Sequence, residues 1–125
     1  MPFVKRKVPT TVEVIDEGTT RTCQIRGAIE AWNCADVVRQ IDPGASPRTL
    51  VDLAGVRELD STGLGALLDI HQRAVNQGAQ LAISNPSPAV RRLLETTRLL
   101  NYFLVLDNPD AVAEFKAAPM APAVP

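Results

Sequence analysis

The chain has 125 residues, of which 46% are hydrophobic and 22% charged, which is enough for one domain with a packed core and too little for two. Its 13 lysines and arginines face 14 aspartates and glutamates, and aromatic residues make up only 4%. This balance argues against nucleic acid as a partner, because nucleic-acid-binding proteins usually present a basic face and single-strand binders also need aromatic rings for stacking.

The N-terminal lead-in, residues 1–9, carries three basic residues at positions 5–7, where a secretory signal would carry its apolar stretch. The longest apolar run, residues 99–106, is too short to span a bilayer. We therefore expect a flexible lead-in on a soluble, cytoplasmic protein without a membrane partner. Cys23 and Cys34 fall on different predicted elements without CxxC spacing, and we expect both to be reduced packing residues.

Alternating β-prone residues predict an antiparallel hairpin at the start of the domain. Its strands cover residues 11–14 and 20–26, its turn covers residues 16–18, and it ends at Gly27. A helix should follow, because Asn33 is a residue type that caps helices and Asp36 would lie in the first turn, where the helix dipole favours a carboxylate. The residues predicted on its buried face are Ala35, Val38 and Ile41, before Pro43-Gly44 ends the helix.

The centre of the chain predicts a short strand followed by the longest amphipathic helix. Residues 49–53 are apolar and β-prone, and a connection through Gly55 follows them. The helix should cover residues 62–76 and end at Gly78. The residues predicted on its apolar stripe are Leu64, Leu67, Leu68, His71, Ala74 and Val75.

The order of strand and helix then repeats twice. Residues 81–83 and 103–106 predict two more strands, and Pro88 and Asn108-Pro109 open the helices after them. The whole pattern indicates a single α/β domain over residues 10–117, with a mixed, mostly parallel sheet of four to five strands packed by about four helices. The Pro/Ala-rich tail, residues 118–125, has no periodicity and should be disordered.

A short polar cluster, residues 60–63 (Asp-Ser-Thr-Gly), lies between the central strand and its helix, at a strand end where the functional loops of open α/β sheets gather. The first turn of a helix leaves backbone N–H groups unpaired and its positive dipole end favours a phosphate, so Ser61 can carry one without melting the helix. Gly63 and Gly65 would keep the surface low for a partner, at about 1 kcal/mol each relative to alanine. Ordinary N-capping explains the same cluster, so both interpretations stay open at this point.

Other chemistries have weaker signals. The cluster has no GxxxxGK[ST] motif, so nucleotide binding or hydrolysis is the least favoured function. His71, without a nucleophile or ligand at fixed spacing, is expected at the core edge. Trp32 is open to two interpretations, an interface anchor and a lid on the core, of which the lid is slightly favoured. An acidic group lacks DxD or HxxE spacing, so neither a metal nor a cofactor is expected. Its members are Glu30, Asp52, Glu58 and Asp60.

Three segments together resemble the STAS domains, the family shared by anti-sigma factor antagonists and sulfate transporters. Residues 26–30 (RGAIE) look like the family's Gly-Glu-Leu-Asp turn, and residues 50–56 (LVDLAGV) resemble its central strand. Residues 60–68 (DSTGLGALL) are similar to its most specific motif, Asp-Ser-Ser/Thr-Gly-Leu-Gly followed by an apolar helix. The likeness extends over residues 11–117.

The resemblance implies a non-enzymatic antagonist that is switched by phosphorylation. In the bacterial antagonists the serine after the aspartate is phosphorylated by a partner anti-sigma factor kinase, which points to Ser61 in preference to Thr62. The unphosphorylated form would bind the kinase and so free a sigma factor, and a phosphatase would reset the switch. Glu30 departs from the family's usual aspartate. The residues expected to bind the partner are Glu30, Asp60, Ser61, Thr62, Gly63, Leu64 and Gly65.

The same family likeness leaves a second function open. The chain would then be a STAS scaffold subunit of a larger sensory or transport assembly, with phosphorylation absent or secondary. Such a subunit should self-associate or co-purify in large complexes, whereas an antagonist should form a complex with its kinase.

Overall fold

A computed structural model describes residues 9–118 of the chain. One sheet contains all the strands of this part of the chain, in the order β1-β2-β3-β4-β5. The strands are β1 (Thr11–Glu17), β2 (Thr20–Ile29), β3 (Arg48–Leu59), β4 (Gln80–Ser84) and β5 (Leu104–Leu106). The helices are α1 (Cys34–Ile41), α2 (Ser61–Asn76), α3 (Pro88–Thr96) and α4 (Pro109–Ala117). β1 is antiparallel to β2 and every other pair is parallel, so the predicted fold class is confirmed.

Side chains alternate between the two faces of the sheet, and each face builds its own apolar cluster. On β3, Val51 belongs to the larger cluster, which helices α1, α2 and α3 cover. Its neighbour Leu50 points the other way and packs with Ala82, Leu106 and Phe115 in a smaller cluster under α4. The sheet therefore carries three helices on one face and one helix on the other.

The opening hairpin is longer than its sequence pattern indicates. β1 runs to Glu17, which pairs with Thr20, so the turn predicted at residues 16–18 is wrong for its first two positions. β2 continues past Gly27 to Ile29, and the predicted end at Gly27 is also wrong. Gly27 has a φ of +104° and lies at a register shift between β2 and β3. A glycine within a strand often marks such a bulge rather than the end of the strand.

β3 also extends far beyond residues 49–53. Its pairing with β2 continues through Gly55 to the contact Ile29↔Leu59, whereas its pairing with β4 stops at Asp52↔Ser84. The predicted connection through Gly55 is therefore wrong, and the chain reaches the polar cluster directly from a strand. A Cβ on Gly55 would lie 2.7 Å from Cγ of Arg26, so this glycine leaves room for a side chain of the neighbouring strand.

Helix α1 begins after Asn33 as predicted, but the Asn33 side chain does not cap it. The side-chain Oδ1 accepts a hydrogen bond from the N–H of Glu30 at 2.8 Å, and Nδ2 donates to the carbonyl oxygen of Ala28 at 2.8 Å. The buried face holds Val37 and Ile41, whereas Ala35 is exposed. The prediction for Ala35 is wrong, because the helix phase is set by the two residues that contact the core.

Helix α2 starts one residue earlier than predicted and buries a slightly different stripe. Ile70 is buried, although it was not predicted on the stripe. Val75 is 53% exposed, so the predicted burial of Val75 is wrong. His71 is half-buried at the core edge, with its ring centroid 4.8 Å from that of Tyr102 and 5.4 Å from that of Phe103.

Both chain ends fall mostly beyond the part that the structure covers. Apart from Pro9 and Ala118, the predicted flexible lead-in and disordered tail lie outside the described residues, and the domain bounds of 10–117 stay a prediction. Within residues 9–118, no helix is long and apolar enough to cross a membrane.

Candidate functional site

The polar cluster forms the turn between β3 and α2, and Asp60 fixes it from two sides. Asp60 is the N-cap of α2 in an extended conformation, and its Oδ1 accepts a hydrogen bond from the N–H of Gly63 at 2.7 Å. Its Oδ2 accepts another from the N–H of Ala31 at 3.2 Å. The carboxylate therefore satisfies one orphan amide of the helix and also ties the turn to the loop between β2 and α1.

Ser61 and Thr62 occupy the first turn of α2, and both are exposed. The Ser61 hydroxyl makes no hydrogen bond to the residues of the described range, so it is available to an incoming group. No acidic residue occupies the first turn of α2. The turn thus presents a free hydroxyl at the positive end of a helix, on a backbone that Asp60 holds in place.

The two glycines of the motif have different surroundings. A Cβ on Gly63 would lie 2.0 Å from the carbonyl oxygen of Ile29, so glycine at this position lets α2 approach the end of β2. A Cβ on Gly65 would meet nothing within 4 Å. Gly63 and Leu64 are buried and support the turn from beneath, and their part in partner binding stays a prediction. Gly65 stays a candidate for partner contact.

The loop between β2 and α1 brings Glu30 and Trp32 to the same end of the sheet. Oε1 of Glu30 accepts a hydrogen bond from Nε1 of Trp32 at 3.2 Å, and the indole is 45% exposed. The interpretation of Trp32 as a core lid is therefore wrong. Its exposure suits an interface anchor, since Trp is enriched among residues that dominate binding energy.

A buried polar network beneath this loop was not apparent from the sequence. Oγ1 of Thr10 donates to the carbonyl oxygen of Ala28 at 2.8 Å and accepts from Nδ2 of Asn33 at 2.9 Å. Thr10 is separated from Asn33 by 23 positions, so no local spacing could have linked them. The network fixes the loop that Asp60 contacts through Ala31.

The remaining candidates do not assemble into a reactive centre. Oδ1 of Asp52 accepts a hydrogen bond from the N–H of Ala54 at 2.9 Å, which uses this carboxylate locally. No group of three or more His, Cys, Asp or Glu side chains within residues 9–118 is placed to hold a metal ion. Cys23 and Cys34 are free thiols, and burial raises the pKa of the Cys23 thiol to about 11.

The fold and the turn define a class: a single α/β domain with a mixed sheet, whose exposed functional groups are hydroxyls on a capped strand-to-helix turn. The family model for the STAS domain matches residues 11–112. The chain belongs to the STAS domain family.

Known proteins resemble this chain both in sequence and in fold. A STAS-domain containing protein of Pseudomonas aeruginosa (strain UCBPP-PA14) is 36% identical over 91 residues, which cover 71% of this chain and 90% of that protein. An anti-sigma factor antagonist from Mycobacterium paratuberculosis superposes with a TM-score of 0.74 at 22% identity, covering 86% of this chain and 95% of that one. A sulfate transporter family protein from Wolinella succinogenes superposes with a TM-score of 0.68 at 20% identity, covering 82% and 88%.

Proposed function

We propose that this STAS domain is an anti-sigma factor antagonist, non-enzymatic itself, whose β3–α2 turn binds an anti-sigma factor kinase and thereby frees a sigma factor. The observation that carries the proposal is the Ser61 hydroxyl, which is exposed on the first turn of α2 and held in position by the two hydrogen bonds of Asp60. The likeness of the fold to an anti-sigma factor antagonist supports it.

Phosphorylation of Ser61 would switch this interaction off. A phosphate adds about two negative charges at neutral pH, and the amino end of α2 can accept them without unfolding. Binding to the kinase would be affected, because the new charge would lie beside the carboxylate of Asp60 and close to the loop that carries Glu30. This concentration of negative charge would have to be desolvated against a partner site that fits a neutral hydroxyl, so the phosphorylated form should release the kinase.

Capture of the partner followed by phosphosite mapping tests the proposal. The Ser61→Ala variant is used as bait in a native lysate, because it should bind the kinase and resist the switch. The captured kinase is then incubated with ATP and wild-type protein, followed by tryptic mass spectrometry. The tryptic peptide covering residues 58–73 contains only two hydroxyl residues, Ser61 and Thr62. Fragment ions that separate these two assign the phosphate, and a phosphate outside this peptide would contradict the proposal.

A charge-matched pair of variants tests the mechanism. Ser61→Asp should lose most of its affinity for the captured kinase in calorimetry. Thr19→Asp adds the same charge in the exposed turn between β1 and β2, at the opposite end of these strands, and should bind like the wild type. Equal binding by both variants would contradict a switch based on charge at Ser61.

A second candidate function is a scaffold subunit, and the structural likeness to a sulfate transporter family protein favours it. In that case the domain would self-associate or join a larger sensory or transport assembly. Gel filtration of the purified protein and of the native complex separates the two functions, because the antagonist should elute with the kinase alone.

A further inference from the structure

A cleft of about 830 Å³ opens where β2 and β3 extend beyond the end of β4. The loop after β4 borders it: the N–H of Ser87 donates to the carbonyl oxygen of Leu53 at 3.3 Å, and the Ser87 hydroxyl donates to that of Val56 at 2.6 Å. The volume lies in the range of small-molecule sites, about 300–1,000 Å³. The residues of the β3–α2 turn do not line the cleft, so it is separate from the Ser61 site.

Two arginines line one end of the cleft. Arg26 and Arg57 are both exposed, and neither forms an ion pair with any residue of the described range. Five of the other eight cations in that range form ion pairs, and among those that form none only Arg26 and Arg57 line the cleft. The cations in ion pairs are Arg21, Arg39, Arg73, Arg91 and Lys116.

The position of Arg26 depends on Gly55 of the neighbouring strand. A Cβ on Gly55 would lie 2.7 Å from Cγ of Arg26 and 3.2 Å from its Cβ, so the stem of Arg26 crosses β3 where a side chain is missing. Arg57 lies two residues further along β3, at the second register shift between β2 and β3, and it also lines the cleft. Both arginines therefore lie further along their strands than Gln24 and Asp52, towards the carboxyl ends of β2 and β3. Guanidinium groups are well suited to the oxygens of a phosphate.

The opposite end of the cleft offers hydrogen-bond acceptors and an amide. Gln24 and Asp52 are register partners on β2 and β3, and both line the cleft. Of the two carboxylate oxygens of Asp52, Oδ1 accepts a hydrogen bond from a residue of the described range and Oδ2 does not. Oδ2 can therefore accept a hydrogen bond from a ligand hydroxyl. At about 3.3 Å per residue, these groups lie roughly 7–10 Å from the arginine end.

We propose that this cleft binds a phosphate monoester of a polyhydroxylated molecule, of the sugar phosphate class. The phosphate lies between Arg26 and Arg57, and hydroxyl groups of the ligand donate to Asp52 and bond to Gln24. Pro88 and Ala89 at the start of α3 supply an apolar wall for the carbon skeleton. The charge pattern argues for this class, because a bare inorganic anion would use only the arginine end and would be repelled by Asp52.

Titration of ¹⁵N-labelled protein with ribose 5-phosphate, inorganic phosphate and ribose tests the assignment. Ribose 5-phosphate should shift the amide signals of Gly55, Arg57 and Ala89 saturably and bind more tightly than either of its halves. The double variant Arg26→Gln/Arg57→Gln should bind it about tenfold more weakly or worse. The double variant Arg92→Gln/Arg98→Gln removes the same two charges from exposed residues that do not line the cleft and should leave the affinity unchanged.

The variant Asp52→Asn distinguishes the contribution of the Asp52 end of the cleft from that of the arginine end. It should weaken ribose 5-phosphate while leaving inorganic phosphate unchanged or slightly tighter, because it removes a hydroxyl acceptor and a negative charge together. Absence of saturable shifts at millimolar ribose 5-phosphate, equal affinity for inorganic phosphate, or unchanged binding by the arginine double variant would each overturn the proposal. None of these outcomes bears on the role of Ser61.

Discussion

The carboxylate of Asp60 accepts a hydrogen bond from the N–H of Ala31, with a distance of 3.2 Å between Oδ2 and the nitrogen. Residues 31 and 60 are 29 positions apart in sequence, yet this bond joins the two loops that leave the adjacent strands β2 and β3. The side chain of Asp60 therefore joins the helix cap to the loop that presents Trp32.

Replacement of Asp60 should destabilise the domain because one carboxylate makes both bonds. We expect Asp60→Ala to lower the free energy of unfolding by about 1–2 kcal/mol for the lost cap, with a further loss of about 1 kcal/mol for the bond to Ala31. Asp60→Asn should cost less, because its amide oxygen can still accept from Gly63. Urea denaturation measures both variants, and Ser61→Ala, which removes an exposed hydroxyl, is the control. An unchanged unfolding midpoint for Asp60→Ala would contradict this account.

The two glycines of the turn should respond to alanine in opposite directions. Gly63→Ala would place a methyl group 2.0 Å from the carbonyl oxygen of Ile29, so α2 must move away from β2 at a cost of about 1–3 kcal/mol. Gly65→Ala meets no atom within 4 Å and should stabilise the helix by about 0.5–1 kcal/mol. Thermal unfolding of the two variants side by side provides the measurement. Two shifts of the same sign would refute the structural distinction.

The order of elements was predictable because each helix and most strands carry their own periodicity. The ends of β2 and β3 were not, since Gly27 and Gly55 look like strand breakers in the sequence. In the fold they mark a bulge and a place for the stem of Arg26, while the pairing of the strands continues to Leu59. Tertiary pairing thus decided what local propensity left ambiguous.

For the candidate site, sequence identified the turn but not what holds it. Asp60 was recognisable as a cap because capping is a local interaction over three residues. Its bond to Ala31, like the bond from Asn33 to Thr10, depends on which strands lie side by side. The burial of Gly63 follows from the same packing of α2 against β2, and no spacing in the sequence indicates it.

Ser61→Asp should leave the domain at least as stable as the wild type. No acidic residue occupies the first turn of α2, and a carboxylate there interacts favourably with the helix dipole by about 0.3–1 kcal/mol. A loss of kinase binding by this variant can then be attributed to charge at the interface. Circular dichroism and urea denaturation check the stability, and a marked loss of stability would show that position 61 does not tolerate a negative charge.

The buried thiol of Cys23 should make stability depend on pH in the alkaline range. Burial raises the pKa of this thiol from 9.0 to about 11, so the folded state holds the proton more tightly than the unfolded state. The stabilisation is complete below pH 9.0 and is lost as the pH rises towards about 11. Denaturation at stepwise pH should show this decline, and Cys23→Ala should flatten it in this window. An equal decline in the variant would assign the effect to other groups.

Arg48 should hold α4 against the second face of the sheet. Its side chain is only 2% exposed, and its guanidinium donates to the carbonyl oxygens of Lys116 and Ala118, at the carboxyl end of α4. Hydrogen bonds from a charged donor contribute about 1.5–3 kcal/mol. Arg48→Met should therefore weaken the attachment of α4 to the sheet, while the helices on the other face keep their packing. Relative to the wild type, hydrogen exchange in Arg48→Met should then become faster at the amides of α4 and stay unchanged at those of α2. The control Arg39→Met removes an exposed ion pair with Asp36 and should change neither helix. Unchanged exchange in α4 of Arg48→Met would show that Phe115 and the apolar cluster alone hold this helix.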